Sequence, residues 1–129
     1  LIVLVAFLAL TAIGGGIGLL TGSIAPGLEL LAGSPFASYA VPGLALVVLV
    51  GGSALVATVG LIRRYPRAIQ LAGLSGAMIV GFEVVEVLII GSDPGVARNL
   101  QLFYFTLGLA ILVVAGVLSV TSRRADSGE

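Results

Sequence analysis

Residues 68–90 read Ala-Ile-Gln-Leu-Ala-Gly-Leu-Ser-Gly-Ala-Met-Ile-Val-Gly-Phe-Glu-Val-Val-Glu-Val-Leu-Ile-Ile, an apolar run interrupted by two charges, Glu83 and Glu86. A helix crosses roughly 30 Å of hydrocarbon with about 20 such residues, at 1.5 Å of rise each. Strands are disfavoured here, because an open sheet edge in lipid leaves its backbone polar groups unsatisfied. The stretch is therefore expected to span a membrane. Its two carboxylates make it the most informative part of the chain, since an ionisable group inside a span costs about 2.5–3.5 kcal/mol and normally faces protein or water.

Three further runs of the same kind surround it. Leu1–Leu20 has Thr11 as its only clearly polar side chain, Val41–Ile62 carries Ser53 and Thr58, and Leu100–Val120 holds Gln101 near its start. The expected fold is an all-α membrane protein: an antiparallel four-helix transmembrane bundle, one domain over residues 1–121. Its helices lie at about 1–20, 41–62, 68–90 and 100–120. Ser23-Ile24-Ala25 resembles a signal-peptide cleavage site, but the preceding apolar run exceeds the roughly 7–15 residues of a signal core, and Pro26 follows the cut. The first run reads as a retained helix.

Arginine placement orients the spans. Arg63, Arg64 and Arg67 sit between the second and third, and Arg123 and Arg124 follow the fourth, whereas the opposite side has Arg98. By the positive-inside rule, both termini and the second connection are expected on the cytoplasmic side. The same arginines, with Tyr65 and Pro66 between them, form a basic turn that suits anionic lipid headgroups, or serves only as the topology signal. The third connection, Ser92-Asp93-Pro94-Gly95, reads as a tight outer turn with Asp93 as N-cap and Pro94 in the first helical turn. The first, Thr21 to Pro42, is long and apolar. It is expected to lie at the lipid interface with a short helix near Leu28–Ala32, or to cover the bundle end as an ordinary loop. Residues 122–129 read as a solvated, disordered cytoplasmic tail.

Composition closes off much chemistry. Of 129 residues, 59% are hydrophobic and 9% charged, the mean hydropathy is +1.25 and the net charge is zero. A soluble domain carries about a quarter of its residues as charges, so lipid is the fitting solvent, and a neutral chain offers no basic face for nucleic acid. Without Cys or His there is no thiol redox chemistry, His-metal site or imidazole catalysis. No cofactor is expected. A composition rich in Ala, Gly, Val and Arg without Lys hints at a bacterial inner membrane.

Nineteen glycines, many inside the spans, point to close helix packing through small-xxx-small faces. Gly14-Gly15-Gly16-Ile17-Gly18 is not a phosphate loop, because no Gly-Lys-Ser/Thr follows it and no strand precedes it.

The polar constellation follows from spacing. With residue 79 at mid-span, Glu83 lies roughly 6 Å and Glu86 roughly 10 Å toward the outer surface at 1.5 Å per residue. Their i, i+3 relation puts both on one face. Folding spans three and four about the outer turn brings Glu86 level with Gln101 and Glu83 level with Tyr104, with Arg98 one turn above. A cluster of Glu83, Glu86, Gln101, Tyr104 and Arg98 is therefore expected near the outer boundary. Two carboxylates this close in hydrocarbon are eased by a proton or a cation; the bland alternative is hydrogen-bonded structural glue, at about 0.6 kcal/mol per contact.

Ser34-Pro35-Phe36-Ala37-Ser38-Tyr39-Ala40-Val41-Pro42-Gly43, and later Leu100-Gln101-Leu102-Phe103-Tyr104 with Thr106-Leu107-Gly108, resemble stretches of small bacterial four-span integral membrane proteins of uncharacterised function. That resemblance implies architecture only. Small multidrug-resistance transporters share the four-span size but place their essential carboxylate in the first helix, where this chain has no charge. The leading expectation is a non-enzymatic subunit that packs with other membrane subunits or with itself. The first alternative is a small proton- or cation-coupled transporter using Glu83 and Glu86. The second, an outer-leaflet lipid-modifying enzyme, lacks a nucleophile paired with a base.

Overall fold

A computed structural model describes residues 1–22, 39–91 and 95–128. They form four helices and, among the described residues, no strand: α1 (Ile2–Thr21), α2 (Ala40–Ile62), α3 (Ala68–Ile90) and α4 (Val96–Asp126). All four are long and apolar enough to cross a membrane, so the all-α multi-span architecture expected from hydropathy is present. The long connection after α1, where a short interfacial helix is expected, and Ser92, Asp93 and Pro94 lie outside the described residues.

Neighbours in sequence pair antiparallel. Gly16 faces Gly43 and Val47, while Gly51 faces Ile13, so residue numbers rise on one helix as they fall on the other. On α3 and α4, Gly73 faces Ala115, Gly76 faces Gly108 and Ile111, and Gly108 faces Ile79. α1 packs on α2, α2 on α3 and α3 on α4. α1 and α4 meet only slightly, with the ring of Phe7 edge-on to Phe103 at 5.8 Å between centroids. The shared core is drawn from every helix: Val5, Leu8 and Ala12; Val50, Ala54 and Ala57; Ala72 and Ile79; Leu107 and Ile111.

Small residues let the backbones approach where the pairs cross. A Cβ on Gly16 would meet the Val47 side chain and lie 2.7 Å from the Gly43 carbonyl. One on Gly76 would stand 2.9 Å from the Gly108 carbonyl. Only glycine admits that spacing, which is the return lipid offers for its poor helix propensity.

Three local features depart from the expected boundaries. α2 contains a π-helical segment, Leu46–Gly52. In a regular helix, positions four apart drift by about 40° around the axis; the wider π turns counter that drift, so Gly43, Val47 and Gly51 all face α1. The turn after α2 is a Schellman-type cap: Tyr65 N–H donates to the Gly60 carbonyl at 2.8 Å and Arg64 N–H to that of Leu61 at 3.3 Å. Arg64 stands at the left-handed position, φ 56, where glycine is usual. α4 begins at Val96 with Gly95, not Asp93, as its N-cap, and it runs on to Asp126. A helix of 31 residues is about 46 Å long at 1.5 Å each, more than the hydrocarbon needs. The disordered tail expected from residue 122 is thus a projecting helical end through Asp126, with Arg123 and Arg124 beside its last carbonyls, where cations suit the helix dipole.

Candidate functional site

Two polar side chains are buried at the end of the α3–α4 hairpin where α3 finishes and α4 begins. Glu83 follows Ile79 by one turn on the core-facing side of α3 and is 5% exposed; Gln101, on the second turn of α4, is 6% exposed. Burial follows from the helix period. Ala72, Ile79 and Glu83 share one stripe of α3, so a helix that buries its aliphatic residues on that stripe carries Glu83 into the interior with them.

Gln101 is oriented by the backbone. Its Nε2 donates to the Gly91 carbonyl at 3.1 Å. A carbonyl can only accept, so this bond settles which end of the amide is nitrogen. Gly91 reverses the chain after α3 at φ 78, and so presents that carbonyl to the next helix. Gly91 is a site residue that sequence reasoning did not name. The available signal was a lone glycine directly after the apolar run, the usual mark of a helix end.

Glu86 is half-buried and lies beside both Glu83 and Gln101. Of the residues expected to cluster, Glu83, Glu86 and Gln101 are thus neighbours. Tyr104 is half-buried against the apolar core, with its ring edge-on to Phe103 at 5.3 Å. Arg98 stands exposed in the first turn of α4. Arg63, Arg64 and Arg67 are all exposed in and beside the α2–α3 turn, at the opposite end of α3.

The arrangement leaves two oxygens without partners. Glu83 Oε2 and Gln101 Oε1 are buried and accept no hydrogen bond. Such atoms are uncommon in folded proteins because each forfeits its solvation without replacement. Two carboxyls and an amide oxygen are hard donors that suit a proton or a small cation. Among the described residues no group of three or more His, Cys, Asp or Glu side chains is arranged to hold a metal ion. Ser75, the other buried polar side chain among the described residues, satisfies itself by donating to the Ala72 carbonyl of its own helix at 2.7 Å.

Compared with protein-family models, curated proteins and solved structures, the chain matches none of them.

Proposed function

We propose that this four-span protein is a small membrane carrier in which Glu83, assisted by Glu86, takes up a proton or a small cation. The observation behind it is the buried Glu83 Oε2, unpartnered beside a second carboxyl and close to an amide whose oxygen is also unpartnered. Glu86 is within side-chain hydrogen-bond reach of both Glu83 and Gln101, yet these two oxygens stay outside that network, whereas the buried Ser75 hydroxyl is satisfied. In this reading Glu86, half-exposed, is the entry point, Glu83 is the binding group, and Gln101, held by Gly91, lies beside Glu86. Both termini face the cytoplasm, on the arginine distribution, and the setting is a bacterial inner membrane.

The test is flux into liposomes containing the purified protein, with proton entry followed by an internal pH dye and cation entry by an ion-selective dye. Wild type is expected to exceed empty liposomes, and Glu83→Gln is expected to keep its helical signal and lose the flux. Equal flux in the two proteins would refute the assignment of Glu83.

A second reading, a subunit that packs with other membrane proteins or with itself, draws on a different observation. Ala77 and Gly81 lie one turn apart on the exposed face of α3, and a Cβ on Gly81 would touch nothing. Small residues facing lipid let another helix come close. Mass spectrometry of the protein released gently from its own membrane distinguishes the readings, since a lone monomer would count against a subunit.

A further inference from the structure

The outward face of α4 carries a shallow groove of about 430 Å³, away from the Glu83 site, lined by Val113, Gly116, Val117, Val120, Thr121 and Arg124 among others. Gly116 makes the depression: it is exposed, and a Cβ built on it would meet nothing within 4 Å. The rest of the floor and walls is aliphatic until the groove reaches Arg124. Thr121 adds no free donor there, because its hydroxyl donates to the Val117 carbonyl at 2.9 Å. All of its lining residues belong to α4, so it is an open apolar furrow along one helix face with one cation at one end.

Its dimensions and its direction match one kind of occupant. From Leu112 to Arg124 it runs about 18 Å along the helix at 1.5 Å per residue, close to the roughly 15 Å depth of one leaflet's hydrocarbon. It also runs along the helix, as an acyl chain does, and its charged end lies at the basic end of the bundle. Gly73 faces Ala115, so the start of α3 and the turn holding Arg63, Arg64 and Arg67 are level with the last turns of α4. A second helix laid in the groove would have to cover Arg124, whereas a phosphate neutralises it.

We propose that this groove is a binding site for one anionic phospholipid, with an acyl chain along Gly116 and the headgroup phosphate on Arg124. Arginine suits that headgroup because its planar fork pairs with phosphate oxygens.

The experiment uses purified full-length protein in mixed detergent micelles with equal phosphatidylglycerol and phosphatidylcholine, and native mass spectrometry to count retained lipids. Wild type is expected to retain one phosphatidylglycerol in preference to phosphatidylcholine. Arg124→Ala is expected to reduce that preference about fivefold, the contribution of one arginine near an anionic surface. Gly116→Leu fills the groove from a position where a Cβ meets nothing within 4 Å, and is expected to lose the retained lipid. Gly81→Leu, at an equally open position on α3, is expected to keep it. No headgroup preference in wild type, or an unchanged preference in Arg124→Ala, overturns the proposal. Unchanged retention in Gly116→Leu overturns it too, and a Gly116→Leu protein with an altered oligomeric state would assign the groove to a helix instead. Should Gly116→Leu fail to fold, Arg124→Ala decides alone.

Discussion

Gly108 and Gly116 lie eight residues apart on α4, and replacing each by alanine should move stability in opposite directions. A Cβ on Gly108 would stand 2.6 Å from Ile79 Cγ2, 2.7 Å from Val80 Cγ2 and 3.0 Å from the Gly76 carbonyl, where ordinary contact is 3.4–4 Å. Val80 is half-buried and has room to turn aside. Ile79 is 1% exposed and does not, and the Gly76 carbonyl is backbone. Relief therefore requires α3 and α4 to separate by several tenths of an ångström along their contact. Overpacking of this kind costs about 1–3 kcal/mol, against a helix-propensity gain for alanine of about 1 kcal/mol. Gly108→Ala should thus be destabilised by up to about 2 kcal/mol. At Gly116 nothing is met, so only the propensity term remains and Gly116→Ala should be neutral or up to about 1 kcal/mol more stable. The chain has no Trp, so far-UV circular dichroism during titration of micelles with a denaturing detergent is the suitable assay. Equal shifts for the two variants, or a Gly108→Ala protein more stable than wild type, would refute the close-approach reasoning.

Gln101→Leu removes the donor to the Gly91 carbonyl and should lower stability by about 1 kcal/mol, near the upper part of what side-chain hydrogen bonds contribute in membranes; the same unfolding titration measures it, and no change would mean that another group serves that carbonyl. Arg64→Gly relieves a left-handed backbone and should stabilise by about 1 kcal/mol; a loss of stability would show that the Arg64 side chain outweighs its backbone cost. Because the chain has no Cys, a single Ser127→Cys protein carries one label site, and an impermeant maleimide should reach it only after cells are opened. Labelling of intact cells would invert the proposed orientation.

The helices were legible because lipid imposes one rule on every residue in a span: backbone groups must pair within the segment, and long apolar runs are the only sequences that tolerate the solvent. That rule weakens at the interface, and there the boundaries moved. Ser122, Arg123 and Arg124 look like a tail on hydropathy, yet α4 continues through them because an arginine near a helix C-terminus favours the helix. The π segment of α2 was not legible, since it depends on how Gly43, Val47 and Gly51 meet Gly16 and Ile13 of another helix, a pairing that hydropathy along one helix does not show. In the candidate site, Glu83 and Glu86 announced themselves by their cost in hydrocarbon, and Gln101 followed from folding the hairpin. Tyr104 is at the expected level but packs into the apolar core, because spacing gives height along a helix more firmly than the direction of a ring. The acceptor that orients Gln101 is a main-chain carbonyl, which no side-chain pattern can announce.

The core sets the condition that the carrier reading has to meet. One turn inward from Glu83 stands Ile79, with Leu8, Val50 and Ile111 in the same core cluster; each is 1% exposed or less, and one comes from each helix. Ser75, the next buried polar side chain on α3, lies about 12 Å further in at 1.5 Å per residue, with its hydroxyl committed to Ala72. In this conformation an apolar layer therefore separates Glu83 from the far side of the bundle. A carrier needs a second conformation in which that apolar layer parts, whereas a structural subunit needs none. Val50 is the member of the layer that sits in the π segment, and π turns are rare and frequently occur at functional sites. For a carrier, α2 at Leu46–Gly52 is thus the place to look for such a change, since α3 and α4 are closely packed through Gly76 and Gly108. Flux that depends on Glu83 would require such a movement. A site that binds but never passes its ion would leave the layer closed, and Glu83 would then be a binding group alone.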